Sequence, residues 1–140
     1  MIKKTFFGIL AMLALVCAGS WYFIHQNQAQ AVKAEARKTY IQSSRPTIFF
    51  HGWGSSSRAE RHMANAAKNA GVTQTIIEAK VAEDGTVTLK GTIPKDAVNP
   101  IVLVNFDNNR GASTQDQGNY AYAVVKALQD TYGIKAMNVV

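Results

Sequence analysis

The residues best suited to chemistry are His51-Gly52-Trp53-Gly54, which follow a short apolar run, Thr47–Phe50. Acyl transfer needs backbone N–H donors aimed at the oxygen where negative charge develops. Glycines let a chain turn sharply and bring its backbone close to a ligand. A tetrapeptide with two glycines between a strand and a helix has the composition for that task. A strand-to-helix turn without chemistry would have the same composition, so placement has to decide.

A nucleophile is harder to find. Gly111-Ala112-Ser113-Thr114-Gln115 is half of a G-x-S-x-G elbow and lacks the second glycine. Ser113 is better explained as a helix N-cap. Ser55, Ser56 and Ser57 follow the glycine turn, and capping suffices for Ser57. His51 is the only histidine near a plausible site. His62 falls on a helix with a solvated or capping role, and His25 flanks the leader. The three are not spaced as metal ligands, so no metal and no cofactor is expected. Asp107 follows a strand end, where α/β folds often place functional groups. Within Asp107-Asn108-Asn109, turn formation is the better reading.

The elements that position these residues alternate in type. Thr47–Phe50 reads as a central parallel strand, apolar on both faces. A helix starts near Ser57, where Ser57-x-x-Glu60 reads as a capping box. Ala59, Met63, Ala66, Ala67 and Ala70 form its apolar face, and Gly71 is its C-terminal cap. Thr75–Val81 and Thr86–Lys90 read as a hairpin turning at Glu83-Asp84-Gly85. Val87 and Leu89 alternate with polar neighbours, which implies one wet face. Ile101–Asn105 is another strand apolar on both faces, followed by a loop, Asn108–Gly111. A second helix starts at Ser113-x-x-Asp116, carries Tyr120, Val124, Ala127 and Leu128 on one face, and ends at Gly133. Ala136–Val140 reads as a last, buried strand. Strands alternating with helices predict a parallel sheet with helices on its faces.

The 140 residues hold one domain at most, with 47% hydrophobic and 17% charged content, ordinary for a globular protein. The net charge is +6, two of it from Lys3 and Lys4. The other basic residues are scattered without an aromatic platform, which argues against nucleic-acid binding. The single cysteine, Cys17, excludes a disulfide within one chain. An exported protein without disulfides suits a Gram-positive envelope better than a eukaryotic secretory lumen.

Lys3-Lys4 precede an apolar run from Phe6 to Ile24, the pattern of an export signal. Ala29-Gln30-Ala31 offers a cleavage site after Ala31. The run is long for a cleaved signal and barely long enough to span a bilayer, so both readings stand. Val16 before Cys17 does not fit a lipoprotein signal. The expected organisation is a signal peptide or membrane anchor over residues 1–31, a linker over 32–44 and a domain over 45–140. Uncleaved, the N-terminal segment would make the membrane a partner.

PTIFFHGWGSS, the hairpin with Asp84-Gly85 at its turn, NPIVLVNFDNN, a helix ending KALQDTYGI, then KAMNVV stand in this order. Together they resemble exported α/β-hydrolases of Gram-positive bacteria, cell-surface hydrolases of poorly known function. The resemblance covers about Arg45–Val140. It implies a three-layer α/β fold with a mostly parallel sheet, ending after the strand that precedes the nucleophile elbow. It implies that Trp53 supplies one oxyanion-hole N–H and that His51 supports the loop rather than acting as base. Gly52 and Gly54 belong to the same loop. The elbow serine, the acid and the base have no counterpart in these residues. The expected function is the N-terminal part of an esterase- or lipase-like serine hydrolase. It would be inactive alone, or active with a separately encoded C-terminal half. The competing expectation is an exported, non-catalytic binding protein of the envelope that keeps the half-fold.

Overall fold

A strand apolar on both faces has to be covered on both, and β4 (Ile101–Phe106) shows how. Ile101 and Leu103 enter one buried cluster with Ala64. Val102 and Val104, which alternate with them, enter another with Tyr120, Val124 and Leu128. The computed structural model describes residues 2–140, with backbone alone for residues 2–11 and 13. The chain runs α1 (Ile2–Thr39), β1 (Thr47–Phe49), α2 (Arg58–Asn69), β2 (Ile76–Val81), β3 (Val87–Lys90), β4, α3 (Thr114–Tyr132) and β5 (Asn138–Val139). The five strands form one sheet in the order β3-β2-β4-β1-β5. All neighbours are parallel except the β2–β3 hairpin. With α2 on one face and α3 on the other, the expected three layers are present.

The α3 face holds the larger core. Ile48, Ile77, Ala79, Val81, Val102 and Val104 meet Tyr120, Val124 and Leu128, which are spaced one helical turn apart. Burying each large aliphatic side chain here contributes about 1.5–3 kcal/mol of transfer free energy. The Tyr120 hydroxyl donates to the Glu83 carbonyl at 2.6 Å, so α3 also holds the hairpin turn. That turn forms as its residues demand. Gly85 has φ +84°, and the Asp84 carboxylate accepts the Thr86 N–H at 2.9 Å. The bond from Thr86 holds the Asp84 carboxyl below the usual carboxylate value. β3 alternates half-buried and exposed residues, which is the wet face expected.

Two sequence expectations fail. Ser57 makes no capping hydrogen bond; it lies in the right-handed helical region, φ −53° and ψ −10°, not in the extended region usual for an N-cap, and its hydroxyl donates to Glu78. The apolar face of α2 is rotated. Ala59, Met63, Ala66 and Ala70 are exposed, while Ala64 is fully buried and Ala67 half-buried. Ser57 and Arg61, one turn apart along the face that buries Ala64, both bond Glu78 on β2. β5 is the last strand that these residues provide. It pairs with β1 alone at the sheet edge, and Val139 and Val140 are 61% and 66% exposed. Their apolar character calls for a cover that none of the described residues provides.

α1 is continuous across residues 31 and 32, and residues read as a linker form its last turns. Ala36 is buried. Gly71, at φ +75°, follows α2 where a Cβ would lie 3.0 Å from the Val32 carbonyl oxygen. The end of α1 therefore rests on the α2–β2 connection. Among the described residues no helix is long and apolar enough to cross a membrane. The apolar run Phe6–Ile24 lies partly outside the described side chains.

Candidate functional site

β1 delivers the chain to the carboxyl end of the sheet, and His51-Gly52-Trp53-Gly54 turns there. Val140 lies at the same end, its carbonyl accepting the Phe50 N–H at 3.0 Å. The Ser55 N–H donates to the Gly52 carbonyl at 3.1 Å, and Gly54 has φ +69°. This is the type II pattern, with Trp53 at the second position and the positive φ, which needs glycine, at the third. The four sequence-predicted residues therefore sit in and beside one tight turn.

The loop between β4 and α3 straps that turn in place. The Gly54 N–H donates to the Asn109 carbonyl at 2.8 Å. In return the Asn109 side-chain amide donates to the Ser55 carbonyl at 2.6 Å. The amides of Gly54 and Ser55 are thus consumed. Among the described residues, those of Gly52 and Trp53 have no hydrogen-bond partner. A free N–H on a rigid turn is the raw material of an oxyanion hole.

His51 is 7% exposed and fully committed. Its Nε2 accepts the Phe106 N–H at 3.0 Å, so that nitrogen carries the lone pair. Nδ1 therefore bears the proton, and it donates to the Gly52 carbonyl at 2.9 Å. The ring also meets Phe106 edge-on, with centroids 5.2 Å apart. Both nitrogens join the end of β4 to the turn, and neither is left to accept a proton from a nucleophile.

Trp53 projects outward, 75% exposed. Its indole N–H donates to the Arg110 carbonyl at 3.3 Å. The Arg110 guanidinium carbon lies 5.7 Å from the ring centroid, a cation–π contact worth about 0.5–1 kcal/mol at an exposed position.

Below the turn, α2 starts on a polar cluster. The Ser57 N–H donates to Asn105 Oδ1 at 3.2 Å. Ser57 Oγ donates to Glu78 Oε2 at 3.3 Å, the same oxygen that Arg61 binds at 2.6 Å. Sequence reading missed Asn105, Asn109 and Arg110. The available signal was three polar residues at and just beyond the carboxyl end of an apolar parallel strand, where such sheets place their sites. Asp107 is not the turn former expected: its carboxylate pairs with Lys80 at 3.0 Å, while Asn108 accepts the Gly111 N–H at 2.8 Å.

Ser113 stands apart as the N-cap of α3. Its Oγ accepts the Asp116 N–H at 3.1 Å and donates to Asp116 Oδ2 at 2.7 Å. His62 is exposed on α2, and His25 packs edge-on to Trp21 on α1. Among the described residues, no group of three or more His, Cys, Asp and Glu side chains could hold a metal ion. A cleft of about 290 Å³ lies at the other end of the strands, lined by Arg37, Tyr40, Thr73, Thr75 and Asn99, and does not include the turn.

A mostly parallel sheet covered on both faces, with a glycine-rich turn beyond one of its strands, is an architecture that α/β-hydrolases share with other α/β proteins. Residues 34–140 match the family described as alpha/beta hydrolase of unknown function (DUF915), and the chain belongs to that family. Among solved structures it is similar to the lin2722 gene product of Listeria innocua, with 24% identity and a TM-score of 0.64, over 69% of this chain and 38% of that one. It is also similar to a Lactobacillus plantarum WCFS1 protein named as a cell surface hydrolase, with 25% identity and a TM-score of 0.53, over 63% of this chain and 36% of that one. The chain therefore spans less than two-fifths of the length of either structure. No curated protein matches.

Proposed function

We propose that these residues form the oxyanion-hole part of an exported, esterase- or lipase-like serine hydrolase. The observation that carries this reading is the unpaired Trp53 N–H in the strapped turn. When a serine attacks an acyl carbonyl, charge moves onto the carbonyl oxygen, and an N–H already fixed in place stabilises it without reorganisation. His51 holds the turn against β4, and Gly52 and Gly54 give it its shape. The sequence contains no G-x-S-x-G, and its candidate serine, Ser113, is occupied at a helix cap. Nucleophile, acid and base then come from residues outside these 140, and the chain by itself is inert toward esters. The basic start with its apolar run, and the name of the Lactobacillus neighbour, support export to the cell surface.

Two measurements test this. The purified chain should leave p-nitrophenyl butyrate at the background rate and resist a fluorophosphonate probe. A hybrid that continues after Val140 with the unmatched remainder of the Lactobacillus protein should hydrolyse the ester. Stoichiometric labelling of a serine in the chain alone, or a folded hybrid without activity, overturns the reading. A folded, inert hybrid would favour a non-catalytic envelope protein.

A further inference from the structure

We propose that Arg110 is a specificity residue that directs the site toward acyl esters carrying a negative charge close to the scissile carbonyl. The inference rests on the oxyanion reading of the turn and adds the substrate class.

Arg110 stands at the mouth of the turn and is held there from two sides. Its guanidinium lies over the Trp53 ring, 5.7 Å from the centroid. Its side chain also lies against Gly54, where a Cβ would come 3.2 Å from Arg110 Nε. A Cβ at position 54 would push Arg110 back by a few tenths of an ångström. The Trp53 indole fixes the Arg110 backbone as well, through the 3.3 Å bond to its carbonyl. The positive charge therefore sits one residue along the turn from the free Trp53 N–H.

That charge is not neutralised. Arg61 is paired with Glu78 and Lys80 with Asp107. Among the described residues Arg110 has no carboxylate within salt-bridge distance, and no acceptor meets its side-chain N–H groups. Asp107, three residues before it, is turned to Lys80. A guanidinium placed over an indole keeps N–H groups available for an acceptor. The guanidinium N–H fork matches a carboxylate or a phosphate. An ester whose carbonyl oxygen approaches the Trp53 N–H would present a charge a few atoms away to this fork. A neutral ester of the same length would leave it unused.

The test uses the chain itself and two esters of one skeleton, monomethyl succinate, which is anionic, and dimethyl succinate, which is neutral. The readout is the movement of the Trp53 indole and Gly54 amide resonances in 15N–1H spectra. Monomethyl succinate should shift both saturably, bind more weakly as salt rises, and bind about tenfold more tightly than dimethyl succinate, the scale of one charge-assisted hydrogen bond. Arg110→Gln should remove that preference, and Arg110→Lys should restore part of it. Equal binding of the two esters by the unaltered chain, or no effect of Arg110→Gln in a chain with unchanged spectra elsewhere, overturns the inference. The comparison within the unaltered chain decides the matter even if Arg110→Gln disturbs the turn. A hybrid active on p-nitrophenyl butyrate with no charge preference in the chain sinks the role of Arg110 alone. A charge preference with an inert hybrid sinks the catalytic reading and leaves an anion-binding surface.

Discussion

α2 and α3 open with the same signature, a serine followed three residues later by a carboxylate, and the two helices start in different ways. At α3 the signature closes on itself: Ser113 Oγ accepts the Asp116 N–H, and the Asp116 carboxylate accepts the Ser113 N–H at 3.1 Å. At α2 the serine is drawn into contacts with other elements, Glu78 on β2 and Asn105 on β4. The difference lies in what surrounds each start. Ser113 is exposed and has no rival partner. Ser57 is 5% exposed, beneath the His51–Ser55 turn, where a half-buried carboxylate and a side-chain amide compete for it. A local capping rule governs where the chain is free to follow it, and it yields where the site has to be held. The α3 side carries the larger core, and the start of α2 is tied to β2 and β4 next to the candidate turn.

The largest effect expected from this division is on the α3 side. Leu128→Ala should destabilise the hybrid by about 2–5 kcal/mol in urea melts, because Leu128 is fully buried against the sheet. Turnover by the folded fraction should stay near that of the unaltered hybrid. A loss below about 1 kcal/mol would mean that the α3 face is not the main core.

Trp53→Pro should do the reverse. Proline removes the N–H, and the second position of a type II turn is one that proline favours, so the turn should survive. Turnover of the hybrid should fall roughly a hundredfold or more, the scale of one oxyanion donor, about 2.7 kcal/mol or above. Trp53→Phe keeps the amide and should be mild. Full turnover in a folded Trp53→Pro hybrid, with native circular dichroism, removes Trp53 as donor.

The same division governs what could be read in the sequence. Order and type of the elements were legible because β1 and β4 are apolar on both faces and α3 repeats its apolar residues each turn. Gly71, Gly85 and Gly133 mark ends and turns that take positive φ. His51–Gly54 stood out as a candidate because two glycines and a histidine follow a strand end. The strap was not. Nothing in Asn105, Asn109 or Arg110 taken singly says that each reaches a partner about fifty residues away. The rotation of α2 was hidden for the same reason. Alanines on several faces do not single one out, and Glu78, the partner of Ser57 and Arg61, belongs to a later strand.

Smaller effects sharpen the contrast between the two helix starts. Ser113→Ala removes a complete capping box and should cost about 1 kcal/mol of stability. Asp116→Ala should cost a comparable amount, and the double variant should cost less than the sum, because the two side chains act as one unit. Additive losses in urea melts would mean that the box does not act as a unit.

Ser57→Ala should have the smallest effect, although Ser57 is far more buried than Ser113. Its hydroxyl caps nothing, so no helix N–H loses a partner. The bond that disappears is 3.3 Å long, and Glu78 keeps the shorter bond from Arg61 at 2.6 Å. The Ser57 N–H bond to Asn105 belongs to the backbone and survives the change. A hydrogen bond usually contributes about 0.5–1.5 kcal/mol net, and a long one whose acceptor stays satisfied belongs at or below the lower end. The expected loss is therefore about 0.5 kcal/mol or less, under half that of Ser113→Ala in the same melt. Equal losses at the two serines would show that α2 is capped like α3. The two starts would then be alike, and Glu78 and Asn105 would not draw Ser57 away from its helix.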